Sequence, residues 1–532
     1  MSGWKYAFSL SKYEVLEATP PGTAKLLSQF QDESESSGGS RRSSASLIRF
    51  PQPSEDPADP LNWPTWRKFA LLLTVSLYSF AGNFTSASIA PALQLWFKEF
   101  PTDHRPFSDL TYFIAISTLF LGASNIWWVP LSNIIGRRPV LLASTVIMTV
   151  CTIWCAVATS YDSVLAARVF QAIGGGASET VAPALIGEVF FVDERGRAMA
   201  IYTVFLAGGP LLGGIAGGYI GFQLGWTYIF WVGTAISAAC IVGVFFFVPE
   251  TLYDRAVSPT DPSTMPVIDE KGMDSHVEDA RSQVTQYKPY TFARSLGFTH
   301  YRGGVLRNFI APWKTLALPG TWVVMFHYSG LVGGIVTIST IGPQIMAQPP
   351  YLWGANVGLI NVGGILGTLA GALYTYLLSD SRLKKTAKTK GGLAEPESRL
   401  PTMFPALVIA TGGFFTFGFV AQYPSQNGWV GLCFGYAMVA FGLMQVPSIG
   451  FNYLIDSYGR LSGDCFVIVT IMRAIIAFAW TFFVSHWVED RGAAEPFGVF
   501  GMLMGIFALL TVPLWLYGKR TRIATAGVVE RA

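Results

Sequence analysis

The chain has 532 residues, of which 51% are hydrophobic and only 13% are Asp, Glu, Lys or Arg, about half the charged share of soluble domains. A water-soluble fold of this composition would need an implausibly large buried core. The formal net charge of +3 says little, because where the charges fall matters more than their sum.

In chain order, residues 1–66 are polar and are expected to form a disordered segment, its Ser- and Gly-rich stretch 31–46 above all. This lead is too long for the basic end of a cleavable signal, so the first apolar stretch is expected to serve as an uncleaved anchor. Six apolar stretches follow, at 68–93, 110–130, 139–159, 163–190, 198–221 and 227–248. A polar linker occupies 249–317, with disorder expected over 255–290. Six more apolar stretches lie at 318–346, 352–378, 402–421, 428–455, 463–488 and 495–517, before a tail at 518–532. At about 1.5 Å rise per residue, each crosses a hydrocarbon core of about 30 Å as a helix. Lipid leaves a segment of that length no other way to satisfy its backbone. The predicted fold class is therefore an all-α membrane protein with twelve transmembrane helices, spans one to twelve, in halves at 67–248 and 318–517. Cys151, Cys155, Cys240, Cys433 and Cys465 lie in or beside the spans without metal-ligand spacing and read as small core residues.

An even number of spans puts both termini on one side. The short loops of that side carry Arg137, Arg138, Arg195, Arg197, Arg382, Lys384, Lys385, Lys388, Lys390, Arg399 and Arg460. The opposite loops carry Lys98, Arg105 and Arg491. This bias places both termini and the 249–317 linker in the cytoplasm.

An internal repeat divides the chain. Leu131-Ser132-Asn133-Ile134-Ile135-Gly136-Arg137-Arg138 after span two matches Leu378-Ser379-Asp380-Ser381-Arg382-Leu383-Lys384-Lys385 after span eight. Asp193-Glu194-Arg195-Gly196-Arg197 after span four matches Asp456-Ser457-Tyr458-Gly459-Arg460 after span ten. Two matches at equivalent positions indicate two six-helix halves of the same orientation, an arrangement typical of transporters with a central site.

Here a resemblance becomes specific. Asp59-Pro60-Leu61-Asn62-Trp63-Pro64-Thr65-Trp66-Arg67-Lys68 resembles the sequence before span one of many fungal members of the major facilitator superfamily. Pro130 to Pro139 resembles the loop-two motif G-x-x-x-D-x-x-G-R-R. Arg168-Val169-Phe170-Gln171 with Gly174-Gly175-Gly176 resembles R-x-x-Q-G-x-G of span four. Gly209-Pro210-Leu211-Leu212-Gly213-Gly214 with Gly217-Gly218 resembles the span-five antiporter motif G-P-x-x-G-P-x-x-G-G. The chain is similar to twelve-span fungal drug:proton antiporters, densely over 60–250 and more thinly beyond. Three positions depart from those patterns: Asn133 stands for Asp, Ala172 for Gly and Gly214 for Pro. The resemblance implies gating by Asn133, Gly136, Arg137 and Arg138 and by their counterparts Asp380 and Arg382. It also implies that spans five and eight meet across the half interface. Gly209, Gly213 and Gly217 on span five, with Pro210, and Gly363, Gly367 and Gly371 on span eight form smooth stripes that would let helices approach and slide, although ordinary packing elsewhere in the bundle accounts for them equally.

Charge within a span is costly and usually functional. Glu179 lies near the middle of span four, Arg168 about 16 Å nearer the outside, and Arg473 near the middle of span eleven. These are the candidates for proton or solute coupling. A structural ion pair is the plain alternative for Glu179, outward snorkelling for Arg168, and a partner such as Asp464 for Arg473. Glu188, Asp456 and Asp464 sit toward span ends, where water reaches them. Asn83, Asn125, Gln171, His327, Tyr328, Asn361 and Gln445 are candidate cavity residues, though each is also explained by a helix–helix hydrogen bond.

No phosphate-binding loop, metal pattern or hydrolytic constellation is present in the sequence, so no enzymatic activity or cofactor is expected and a gradient must supply the energy. The expected function is secondary active transport by alternating access: proton-coupled export of drugs, toxins or secondary metabolites. Import or facilitated passage of organic cations such as polyamines is the alternative, and a non-transporting solute sensor a third reading. The expected partners are a small organic solute, protons and the lipid bilayer of the plasma membrane or the vacuole. No nucleic acid is expected, and the chain is expected to act as a monomer.

Overall fold

The computed structural model describes residues 3–18, 20, 24–25, 53–54, 56–100, 107–253, 303–389 and 393–530. The stretches 31–46 and 255–290, both expected to be disordered, lie outside the described residues. Among the described residues the only strands are a two-residue pair, Ala24–Lys25 with Leu393–Ala394. Everything else of regular structure is helical.

Eleven helical segments are long and apolar enough to cross a membrane. Span four is the twelfth long helix. It runs Tyr161–Val189 over 29 residues, but Arg168, Gln171, Glu179 and Glu188 dilute its apolar character. It lies inside the bundle against spans one, two and three, so its polar groups face protein rather than lipid. Lipid-facing helices show the opposite pattern: on span eight Leu366, Leu369, Leu373 and Leu377 are all more than half exposed along one face, a surface suited to acyl chains and costly in water.

Several spans break where proline or a bend leaves carbonyls without partners. Span one is Thr65–Ala87, followed by a 3₁₀ turn Ala90–Leu95 that holds Pro91. Span two is Phe107–Ala123 and then Asn125–Ile135; at the break the Asn125 side chain donates to the carbonyls of Leu121 and Gly122, both at 3.1 Å. Span ten is Gly428–Leu443, a π turn Val446–Gly450 around Pro447, and Phe451–Tyr458. Span twelve continues from Ala494–Leu509 into Thr511–Glu530.

The two halves meet through spans two and eleven and through spans five and eight. The five–eight contact matches expectation, but the glycine stripes do not form it. A Cβ on Gly209 would stand 2.7 Å from the Phe80 carbonyl, and one on Gly213 2.8 Å from that of Phe84, both on span one; Gly217 abuts Ser88 just beyond it. Gly363, Gly367 and Gly371 likewise press on backbone of span ten at Cys433, Ala437 and Phe441. Each stripe thus draws two helices of one half together. The inter-half contact uses glycines one position off the stripes: Gly214 meets Asn361, Gly218 lies by Ala355, and a Cβ on Gly358 would be 2.5 Å from the Gly214 carbonyl. A helix presents several faces, and the i, i+4 spacing alone does not say which neighbour a face meets.

Two segments read as unstructured contain helix. Gly3–Ser9 and Lys12–Glu17 are helical, the second begun by a capping box between Ser11 and Glu14. The first docks on span twelve: Arg520 donates to the carbonyls of Ala7 and Phe8 at 3.3 and 3.2 Å, and Phe8 lies 6.2 Å from Tyr517. At the end of the central linker, Val305–Lys314 is an amphipathic helix that leads into span seven, Pro319–Ala347.

Candidate solute and proton site

At mid-depth the halves enclose a cavity of about 60 Å³, room for a few waters. Its lining is mostly apolar, with Ile114, Leu206, Val332 and Ile335 among it, and its polar members include Asn83, Thr203, Tyr328, Ser339 and Arg473. Contacts between the halves lie at both ends of it. At the end that carries the termini, Arg195 lies 3.8 Å from Asp456, which also lies 3.5 Å from Arg399. The hydroxyls of Thr203 and Ser448 are 3.5 Å apart, and the Arg197 guanidinium stands 5.6 Å from the Tyr376 ring centroid. At the other end Tyr219 donates to Asn356 at 2.8 Å, and Tyr112 stacks on Phe482 at 5.3 Å. The halves are thus in contact at both ends of the cavity.

The two D-x-x-G-R repeats meet in this arrangement: Arg195 of the first copy faces Asp456 of the second. Their equivalence was legible in the sequence; that they contact one another follows only from the folding of two halves around one axis.

Glu179 and Arg473 form an ion pair across the halves, with Arg473 Nη2 3.1 Å from Glu179 Oε2. Both side chains are buried. Asn83 donates to Glu179 Oε1 at 3.0 Å, and the guanidinium lies 5.3 Å from the Tyr328 ring centroid. The pair is in contact but poorly aligned: Glu179 Oε2 and Arg473 Nε and Nη2 make no hydrogen bond. Buried charge with unused hydrogen-bonding capacity is costly, and here it adjoins a cavity. Arg473 and Asn83 line that cavity, and Glu179 stands directly behind them.

Arg168 has a different role. It is fully buried and donates to the carbonyl of Thr85 at 2.6 Å, to that of Ser86, to that of Phe113 at 3.2 Å, and to Gln171 Oε1 at 3.0 Å. Thr85 and Ser86 belong to the last turn of span one, whose carbonyls have no partner within the helix and carry partial negative charge. Arg168 neutralises that end and ties it to span two. It neither snorkels nor reaches the cavity.

Five of the seven uncharged candidates are helix–helix hydrogen bonds rather than cavity residues. Asn125 accepts from Thr180. Gln171 donates to Thr152 at 2.8 Å, besides accepting from Arg168. His327 Nε2 bonds the Phe507 carbonyl at 2.6 Å. Asn361 accepts from Tyr436 at 3.3 Å, and Gln445 accepts from Thr375 at 3.0 Å. Asn83 and Tyr328 alone of the seven line the cavity. Pro210 of the span-five motif lines it as well.

In loop two, Gly136 takes φ +118°, and a Cβ there would meet Glu250 at 2.5 Å. Glu250 caps the start of span three, accepting from the backbone N–H groups of Arg137 and Arg138 at 3.0 and 3.1 Å. Arg137 pairs with Glu188 at 3.0 Å and donates to Ser132 at 2.6 Å; Arg138 donates to the Phe245 carbonyl. Asn133 is half-buried and makes no side-chain hydrogen bond among the described residues. The side chains of Asp380 and Arg382 lie outside the described residues. Sequence reasoning missed Glu250 and took Glu188 as merely wetted. The signal for Glu250 was an acid at the first polar position after span six.

Two six-helix halves closed around a central cavity define an integral membrane transporter, not an enzyme. The chain belongs to the Major Facilitator Superfamily, whose family model matches residues 69–481. It is 26% identical to an uncharacterised transporter of that type from Schizosaccharomyces pombe, over 90% of this chain and 89% of that one. It is 24% identical to the efflux pump radE of Floropilus chiversii, over 88% and 83%, and 25% identical to the efflux pump FUB11 of Gibberella moniliformis, over 88% and 76%. In fold it is similar to the human organic anion transporter MFSD10, with a TM-score of 0.55 at 18% identity over 84% of this chain and 100% of that one. It is also similar to the xylose transporter XylE of E. coli in a partially occluded inward-open conformation, with a TM-score of 0.57 at 14% identity over 85% and 98%.

Proposed function

We propose that this transporter exports small, largely apolar organic molecules in exchange for protons, from the plasma membrane and with both termini in the cytoplasm. The observation that carries the reading is the Glu179–Arg473 pair between the halves, at the wall of an apolar cavity. With Glu179 ionised, the pair is neutral overall. A proton on Glu179 leaves the Arg473 charge uncompensated beside the cavity. That charge draws water and is costly to desolvate, so an apolar solute binds less well. The converse follows by linkage: bound solute excludes water and disfavours the protonated state. Proton and solute therefore compete, which is the condition for exchange. The efflux-pump relatives agree with the export direction, and the arginine-rich loops agree with the orientation.

The reading of a cation importer is less well supported. Among the described residues the cavity lining includes Arg473 but no carboxylate, and Glu179 is already occupied by Arg473 and Asn83. A polyamine would have to displace a buried guanidinium.

The test is solute flux in proteoliposomes with and without an imposed pH gradient. Wild type is expected to show saturable, gradient-driven flux and Glu179→Gln only slow, gradient-independent exchange. Gradient-driven flux of Glu179→Gln at the wild-type rate refutes the coupling. No saturable flux of any solute refutes transport.

A further inference from the structure

Away from the central cavity, a groove of about 620 Å³ opens on the outer surface of the second half, between spans eleven and twelve, at the end opposite the termini. Its floor is apolar, formed by Ala479, Phe483, Val499 and Leu503, and Phe483 is mostly exposed. Trp480 stacks on Phe500 at 4.0 Å with planes 6° apart and forms the back wall. The mouth has a different character. Trp487 donates its indole N–H to Glu495 Oε1 at 3.3 Å, and Asp490 and Arg491 stand beside it on the last turn of span eleven. Neither Asp490 nor Arg491 makes a hydrogen bond or ion pair among the described residues. All three charged side chains are exposed.

We propose that this groove is a binding site for one zwitterionic phospholipid of the phosphatidylcholine type. The chemistry of each part selects the occupant. The apolar floor runs from the interface toward mid-membrane and suits an acyl chain. A tryptophan at the mouth marks headgroup depth. Arg491, which pairs with none of the described residues, has the fork geometry that suits a phosphate. Asp490 and Glu495, the second held by the indole of Trp487, suit the amine cation beyond that phosphate. Two acids against one base at the mouth repel a lipid whose headgroup is only anionic, so the site discriminates by the cation as well as by the phosphate.

The experiment uses the full-length protein purified from nanodiscs of equal parts dioleoyl-phosphatidylcholine and dioleoyl-phosphatidylglycerol, with retained lipid counted by native mass spectrometry. Wild type is expected to retain phosphatidylcholine over phosphatidylglycerol by about two- to fivefold, the range that exposed charge contacts support. Arg491→Gln is expected to lower retention of both lipids, and Glu495→Gln to bring the two toward parity. Circular dichroism and elution volume report folding of each variant. Preference for phosphatidylglycerol, equal retention of the two by wild type, or unchanged selectivity in folded Glu495→Gln each overturns the proposal.

Discussion

Gly358→Ala is expected to hold open the end opposite the termini. Gly358 sits in the 3₁₀ turn Gly354–Ile360 that begins span eight, against the backbone of span five in the other half. The added Cβ would stand 2.5 Å from the Gly214 carbonyl oxygen, so the halves must part by roughly 1 Å to restore an ordinary contact. Overpacking of this kind costs about 1–3 kcal/mol. The contact joins the two halves and not two helices of one half, so the cost falls on their closure at that end rather than on the folding of either half. The equilibrium should shift toward opening about 5- to 150-fold. The readout is the labelling rate of Ala87→Cys, a cavity position, by a membrane-impermeant thiol reagent applied from that end. The native cysteines give little background, since all but the half-buried Cys433 are buried. Gly213→Ala is the control: its Cβ would meet the Phe84 carbonyl at 2.8 Å within one half, so it should lower stability without raising labelling. Unchanged labelling in a folded Gly358→Ala protein, or equal labelling in the two variants, would refute this account of the interface.

Three further outcomes are expected. Asp456→Asn removes the acid shared by Arg195 and Arg399 and should raise cavity labelling from the side of the termini several-fold while leaving labelling from the opposite side unchanged or lower. Arg168→Leu strips the cap from the end of span one and should cost at least about 3 kcal/mol, read as a fall in melting temperature and in yield, whereas any active remainder keeps the wild-type pH profile. Residues 1–270 and 300–532 expressed as separate chains should co-purify and retain transport, as judged by affinity capture and flux; failure to associate would argue against two independent halves.

Much of this was legible in the sequence, and the limits have physical causes. The spans were readable because a bilayer imposes one length and one composition on every crossing. Glu179 and Arg473 stood out because charge is rare at that depth. Their pairing did not, since it joins span four to span eleven and no local pattern encodes a contact between halves. Arg168 carried the same signal of rarity as Glu179, but its partners are backbone carbonyls, which every residue has. Asn125, Gln171, His327, Asn361 and Gln445 can both donate and accept hydrogen bonds, as Asn83 can, and only the direction each helix face takes separates a packing contact from a cavity wall. The glycine spacing revealed close helix approach but not the neighbour approached.

The central claim is that proton and solute compete through the Glu179–Arg473 pair. It is tested most directly by the protons exchanged when solute binds to purified protein in weak buffer, using the first solute that gives saturable flux. Wild type is expected to release protons on binding, with solute affinity rising with pH, and Glu179→Gln to release none and to bind with little dependence on pH. Proton uptake on binding, or release that persists in Glu179→Gln, would contradict it.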